Sequence, residues 1–448
     1  MNKNNSFIIQ FICLGVVFLA ILTQSFTQWI KMKPLSGFTK EIEAKELSFK
    51  TYYDGSYQDY LTAYAKENTG FREFFIRHYN QIAYTVFHHI TNENIKEGLH
   101  RELYMNMYLD DFTGEKIRQN YIDVERAKTI AQTRVKETLT LIETLKQHGT
   151  QFLFVFCPTK TAVYPENTPK RYRDAMADFS LEEYYIQLFK ENNIPHIDFY
   201  NYFKTIKDTV AHPLFTKTGS HWAESTIPWV ADSIFRKLES LTGFNLPSIE
   251  YVSDNASTDY SPIDGELEAN LNLLFPIPKP AVPNPIFTLK DTTGKDRPNL
   301  LVTADSFFNQ LRRCCFVEAF NHWDYWVYNR DIHSSRSQFN WKSLDMVLGS
   351  DHVLEEADIV MAVYTAPMLY DFMFGFNEIA QNLYEKGVIS EEAGIKAVSA
   401  LIRENPDWMK AVETQAERLG ITVEDNLVNN AQHFLEERIR NKKSAEQP

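Results

Sequence analysis

Two patches of this 448-residue chain carry side chains that could do covalent chemistry together. One is Asp305-Ser306, directly after the apolar run Leu300-Leu301-Val302-Thr303-Ala304. The other, upstream, is Lys217-Thr218-Gly219-Ser220-His221-Trp222. A serine hydroxyl attacks a carbonyl only when a base takes its proton, and an imidazole is the side chain that does so near neutral pH. Ser306 and His221 therefore point to serine-dependent acyl transfer. The carboxylate that orients such a histidine often stands two or three residues before it, and those positions hold Gly219 and Thr218. The competing reading makes Ser306 and Asp305 ordinary caps of the helix that follows, and His221 a loop histidine bonded to backbone, with Trp222 in the core.

Chemistry at such a pair requires elements that hold it. Arg126 to His148 reads as an amphipathic helix closed by Gly149, and Phe152-Leu153-Phe154-Val155-Phe156, ending at Pro158, as a buried parallel strand. A helix near Leu181–Glu191 then leads to a strand at 194–199, where His196 and Asp198 are expected to satisfy backbone groups. A helix near Glu224–Leu241, a Pro/Asp/Ser-rich stretch, the strand before Asp305 and a strand at 358–363 follow. This alternation predicts an open α/β sheet with helices on both faces, whose ligands sit beyond the carboxyl ends of the strands. Pro158-Thr159-Lys160, Asp305-Ser306 and Tyr364-Thr365 would share that rim. Lys160 is also readable as a solvated loop lysine. Before this domain, two helices between Ser56 and Ile90 are separated at Gly70, with Phe71, Phe74, Phe75, His78 and Ile82 on one face. After it, Glu391 to Arg440 is charged and helical in period, with Gly420 between two helices.

Composition narrows the partners. A net charge of -13 without a basic stripe argues against nucleic acid. Four cysteines, Cys13, Cys157, Cys314 and Cys315, form neither a disulfide framework nor a metal signature, and no cofactor is implied. The cluster Trp323-Asp324-Tyr325-Trp326 with Tyr328 and Arg330 reads either as a sugar platform or as core. His322, His333 and His352 receive no role. Phe7 to Phe26 is apolar enough to span a bilayer and lacks a small-x-small cleavage site, which favours an uncleaved signal anchor. Lys3 stands on one side of it and Lys31 and Lys33 on the other, so the distribution of positive charge does not fix the orientation. The large remainder without a further apolar run places the bulk of the chain outside the cytoplasm.

Several further motifs carry a resemblance over roughly residues 50 to 380. They are Gly70-Phe71-Arg72 with Asn80, Pro158-Thr159-Lys160 with Val163-Tyr164-Pro165, Gly219-Ser220-His221-Trp222, Leu271-Asn272-Leu273 and Asp305-Ser306-Phe307. In their order and spacing the chain resembles the alginate O-acetyltransferase-like SGNH proteins of the AlgX/AlgJ type, in which the histidine loop precedes the serine. The resemblance implies a permuted SGNH-hydrolase-like fold that acylates a polysaccharide, with acyl groups supplied by a membrane-bound O-acyltransferase. Ser306 would be the nucleophile, His221 the general base and the Ser306 N–H an oxyanion donor. Asp305, Lys160, Tyr164 and Ser220 would support them. The family's usual acid corresponds to Gly219, and its common glycine before the serine motif to Ala304. Asp198, Glu224 or Asp305 would have to orient His221 instead. The expected layout is an anchor over 1–33, a helical region over 34–120, the acyltransferase domain over 121–385 and a helical region over 386–448. A carbohydrate esterase using the same serine, and a non-catalytic glycan- or partner-binding scaffold, are the rival functions.

Overall fold

The computed structural model describes residues 3–37, 42–336, 342–348 and 350–445. They form two compact units: one built from the first 106 residues with 217–219 and 265–279, the other from the remainder.

In the first unit the N-terminal helix α1 (Lys3–Thr27) contains twenty-one apolar-rich residues, Phe7–Thr27, that are almost wholly exposed. At about 1.5 Å per residue such a stretch is roughly 30 Å long, the thickness of a bilayer's hydrocarbon core. Its end docks on the junction between α2 (Ser56–Asn68) and α3 (Arg72–Phe87), where the Gly70 N–H donates to Ser25 Oγ at 2.7 Å. A side chain at Gly70 would collide with the Ile21 carbonyl and Gln24, so this approach requires glycine. The sequence expectation of two helices parted at Gly70 is met. Of the residues expected on one face, Phe74, Phe75 and Ile82 are exposed, with Tyr79 and Val86, and Phe71 and His78 are half-buried, while α3 buries Ala83 and Tyr84. Asn80 there donates to the Leu271 carbonyl at 2.8 Å. A small hairpin, β1 (Ile95–Glu97) and β2 (Leu103–Met105), completes this core with Leu267, Leu271 and Ile277.

The second unit is built on a seven-stranded sheet. Asp123 caps α4 (Val124–Gln147) by accepting from the Arg126 N–H, and Gly149 at φ +81° ends it and turns the chain into β3 (Gln151–Cys157). Then come α5 (Leu181–Glu191), β4 (His196–Asp198), α6 (Phe199–Ile206) and α7 (Ile227–Thr242). A separate antiparallel ribbon pairs β5 (Ser248–Asp254) with β6 (Pro285–Lys290). Strand β7 (Leu300–Ala304) leads to α8 (Phe308–Arg313), followed by β8 (Trp323–Val327), β9 (Asp331–Ser334), β10 (Lys342–Ser343) and β11 (Ile359–Thr365). The sheet order is β10-β9-β8-β7-β11-β3-β4, with β8, β7, β11, β3 and β4 mutually parallel and β9 and β10 antiparallel at one edge. The parallel sheet expected from sequence is thus present, extended by an antiparallel hairpin. β11 also runs through Tyr364 and Thr365, which the sequence placed beyond it.

Both faces of the sheet are covered. Phe152, Phe154, Phe156, Val360, Ala362 and Trp326 point to the side where α4, α5 and α9 (Phe376–Lys386) pack. On the other side Phe308 of α8 meets Tyr325 edge-on at 4.9 Å, and Phe235 of α7 stacks on Phe316 at 4.8 Å. Tyr325 and Trp326 are thus core residues of β8, which rules out Trp323–Trp326 as a sugar platform. The C-terminal segment contains three helices instead of two: α10 (Glu391–Glu404), α11 (Pro406–Leu419) and α12 (Val423–Ala445), with Gly420 between the last two. Val398, Ile402, Val412, Leu427 and Leu435 form their shared core. All four cysteines are free; Cys13 is exposed, and Cys157, Cys314 and Cys315 are buried.

Candidate active site

β7 is buried along its whole length, and the chain leaves it through a turn organised by Asp305. The Asp305 N–H continues the ladder to the Val363 carbonyl at 3.2 Å. Its carboxylate Oδ1 accepts from the Phe307 N–H at 2.9 Å, and Oδ2 accepts from the N–H and Oγ1 of Thr365, both at 2.8 Å. Its carbonyl accepts from the Tyr325 hydroxyl at 2.7 Å. Burial pushes the Asp305 carboxyl above the usual carboxylate range, against the pull of these donors and of His221. With Asp305 fixed from four directions, the next residue, Ser306, is presented half-buried at the strand exit.

Ser306 does not cap α8. Its Oγ lies 2.9 Å from His221 Nε2. Its carbonyl accepts from the Asn309 N–H at 3.0 Å, while its own N–H has no partner among the described residues. A hydroxyl, an imidazole nitrogen and an open backbone donor therefore meet at the carboxyl rim of a parallel sheet. Register locates that rim: Cys157 of β3 pairs with Thr365 of β11, and Ala304 with Val363.

His221 precedes an anchored tryptophan. Trp222 is fully buried, bridges Phe215 in antiparallel fashion and gives its carbonyl to Gln310 Nε2 at 2.6 Å. Its ring meets Phe307 at 5.3 Å, and Phe307 also flanks the His221 ring at 4.7 Å. The segment leading into this loop, residues 214–216, is held by two residues that the sequence singled out. Lys160 is 1% exposed, not a solvated lysine, and its Nζ donates to the Thr216 carbonyl at 2.7 Å. The Tyr164 hydroxyl accepts from the Leu214 N–H at 3.1 Å. Ser220 is buried.

The three candidate orienting acids have other employment. Asp198 caps α6 through the Asn201 N–H at 2.9 Å and meets Lys190 at 3.1 Å. Glu224 is half-buried, and its carboxyl is raised by burial against a bond from Ser261. Asp305 shares no hydrogen bond with His221 among the described residues; it acts on the imidazole through charge. His196 bonds the Ile194 carbonyl, as expected of a strand-end residue. No group of three potential metal ligands occurs among the described residues.

Sequence reasoning missed the parts that steady the pair. The sequence places Thr365 on the rim, Phe307 in the serine motif and Tyr325 in an aromatic cluster, but assigns none of them this role, and Gln310 carries no signal at all. Beneath the rim lies a further feature without a sequence signal. Glu182, in the first turn of α5, is buried with neither carboxyl oxygen partnered among the described residues, and burial raises its carboxyl well above the normal range. Asp111, whose carboxyl is raised to about 6 by burial, accepts from the Tyr370 hydroxyl at 2.9 Å.

Residues 112–290 match the family model of the SGNH hydrolase-like domain of the acetyltransferase AlgX, a span that includes His221 and stops before Ser306. Among solved structures, the chain is similar to the O-acetyltransferase domain of Pseudomonas putida AlgJ at 15% identity and a TM-score of 0.38, covering 63% of this chain and 99% of that one. Pseudomonas aeruginosa AlgX gives 14% identity and a TM-score of 0.42, over 64% of this chain and 66% of that one. Bacillus cereus PatB1 gives 10% and 0.34, over 55% and 92%. No curated protein sequence matches the chain.

Proposed function

We propose that this protein is an extracytoplasmic O-acyltransferase that moves an acyl group, acetyl in the first instance, onto hydroxyls of an envelope or secreted polysaccharide through an acyl-Ser306 intermediate. The observation that carries this reading is the 2.9 Å approach of His221 Nε2 to Ser306 Oγ beside the open Ser306 N–H. The match of residues 112–290 to an acetyltransferase family model supports it.

The steps follow from that geometry. Ser306 Oγ attacks the acyl carbonyl carbon while its proton passes to His221 Nε2. The carbonyl oxygen becomes an oxyanion, for which the Ser306 N–H is an available donor. Collapse breaks the bond to the donor's leaving oxygen, which takes the proton from His221 and leaves acyl-Ser306. A glycan hydroxyl then gives its proton to His221 and attacks the ester carbonyl. The Ser306 oxygen departs with that proton, and the acylated glycan is released. The buried Asp305 charge favours the imidazolium formed in each half-reaction. In this reading α1 anchors the chain in the cytoplasmic membrane, beside a membrane-bound O-acyltransferase that supplies acyl groups.

Full-length protein in detergent, incubated with an activated acetyl ester and followed by intact mass, tests the reading. The expected result is one added acetyl group that is absent in Ser306→Ala and is discharged by a hydroxyl-bearing oligosaccharide. Discharge to water alone would make the protein an esterase. Inert wild-type protein would leave a binding scaffold.

A further inference from the structure

A cavity of about 970 Å³ lies between α4, α9 and the loops that follow β8 and β11. That volume is at the upper end for small-ligand sites and would hold several sugar rings. Ser306 and His221 do not line it, but one wall is bonded to β7, the strand that leads to the serine. The Tyr328 N–H donates to the Ala304 carbonyl at 2.9 Å, and Asn329 Oδ1 accepts from Thr303 Oγ1 at 2.8 Å. Asn329 also joins the two loops across the cavity, donating from Nδ2 to the Met373 and Phe374 carbonyls at 2.7 and 3.1 Å. Tyr328 and Asn329, both with φ near +50°, are the central pair of the tight turn between β8 and β9, and Met373 and Phe374 share that left-handed backbone.

The wall has the mixed character of a sugar site. Tyr328 meets Phe374 edge-on at 5.3 Å and Tyr384 stacks on His148 at 4.2 Å, while Asn377 contributes a buried Oδ1 with no partner among the described residues. The guanidinium of Arg330 has no hydrogen-bond or ion-pair partner among the described residues, and that of Arg134 is committed to Tyr121 and two carbonyls. Against these two cations stand the carboxylates of Glu137, Asp371, Glu378 and Glu385, none of them in an ion pair among the described residues. A polyanion would enter against that excess; an amine would be drawn in.

We propose that this cavity is the acceptor subsite, and that the glycan it receives lacks acid groups and is bound more tightly where it carries free amino groups. The proposal rests on the acyltransferase reading for its purpose, and on the cavity alone for its binding preference.

The test separates the two. Full-length Ser306→Ala in detergent, which cannot be acylated at that position, is titrated calorimetrically with a glucosamine tetramer, a cellotetraose and a mannuronate tetramer. The amine-bearing oligomer should bind tightest and the uronate weakest. Glu137→Gln combined with Glu378→Gln should weaken the glucosamine oligomer about three- to tenfold, in keeping with exposed charges, and leave cellotetraose affinity in place. A uronate bound as tightly as the amine, or a double variant that still prefers the amine by the wild-type margin, would overturn the proposal. Binding in the expected order with no acylation of wild-type Ser306 would overturn the acyltransferase reading and leave the cavity assignment standing.

Discussion

His221 Nε2 and Ser306 Oγ lie 2.9 Å apart although 85 positions separate them in the chain. Each reaches that point from a differently secured element: the serine from a strand exit pinned by Asp305, the histidine from a loop pinned by the buried Trp222. Removing either side chain should abolish the chemistry without disturbing these supports. Ser306→Ala and His221→Ala are each expected to lower acylation by an activated ester about 10⁴-fold or more, with a melting temperature close to wild type. A stopped-flow assay and a thermal melt on the same samples check both halves.

Asp305 is a positioning residue and should behave differently. Its two carboxylate oxygens accept three hydrogen bonds, so Asp305→Asn places an amide donor against existing donors whichever way it is turned. The expected effects are destabilisation of about 1–3 kcal/mol and slower acylation with an altered pH profile, because the charge facing His221 is gone. A variant with unchanged stability, or with slower acylation and the wild-type pH profile, would contradict this role.

Lys160 offers a test of how far loop support reaches into catalysis. Lys160→Met keeps most of the stem volume but leaves the Thr216 carbonyl without the Nζ donor. A loss of about 1–3 kcal/mol is expected, with the rate of Ser306 acylation falling alongside it. Unchanged stability in denaturant melts would show that the buried ammonium does not hold the loop.

How much of this site could be read in advance depended on the type of interaction. The sheet was visible because Phe152–Phe156 and Leu300–Ala304 are apolar runs flanked by helical periodicity, a local signal. Ser306 and His221 were visible because of their chemistry and their motifs. Lys160 reads from sequence either as a solvated lysine or as a loop brace, and only the fold decides for the brace, because nothing in Thr159-Lys160-Thr161 announces that its ammonium meets a carbonyl 56 positions away. The aromatic cluster was half informative for a similar reason. Both faces of β8 are covered, which buries Tyr325 on one side and Trp326 on the other, while the turn that follows brings Tyr328 and Arg330 to the cavity. Long-range polar contacts leave no periodic trace in sequence.

The acids below the rim set the pH response of folding. Glu182 and Asp111 hold protons in the folded state at pH values where the unfolded chain has released them. The folded state then binds more protons than the unfolded state, so stability falls as pH rises. For Asp111 the fall spans about pH 4 to about 6, and for Glu182 it begins near 4.5 and continues upward. Each group contributes a slope of up to about 1.4 kcal/mol per pH unit. Glu182→Gln should flatten the fall and be more stable than wild type at pH 8. Denaturant melts from pH 5 to 8 that remain parallel for the two proteins would contradict this.

The three buried thiols bear on a different property, the lifetime of the protein. Burial raises Cys314 to about 12, Cys315 to about 11 and Cys157 well above the ordinary thiol range, so the thiolate that begins disulfide exchange is scarce while the chain is folded. Unfolding restores their reactivity. In an oxidising compartment every excursion to the unfolded state therefore risks a cross-link that blocks the return. Survival there is governed by how often the fold opens, a kinetic barrier, and not by the equilibrium margin between folded and unfolded chains.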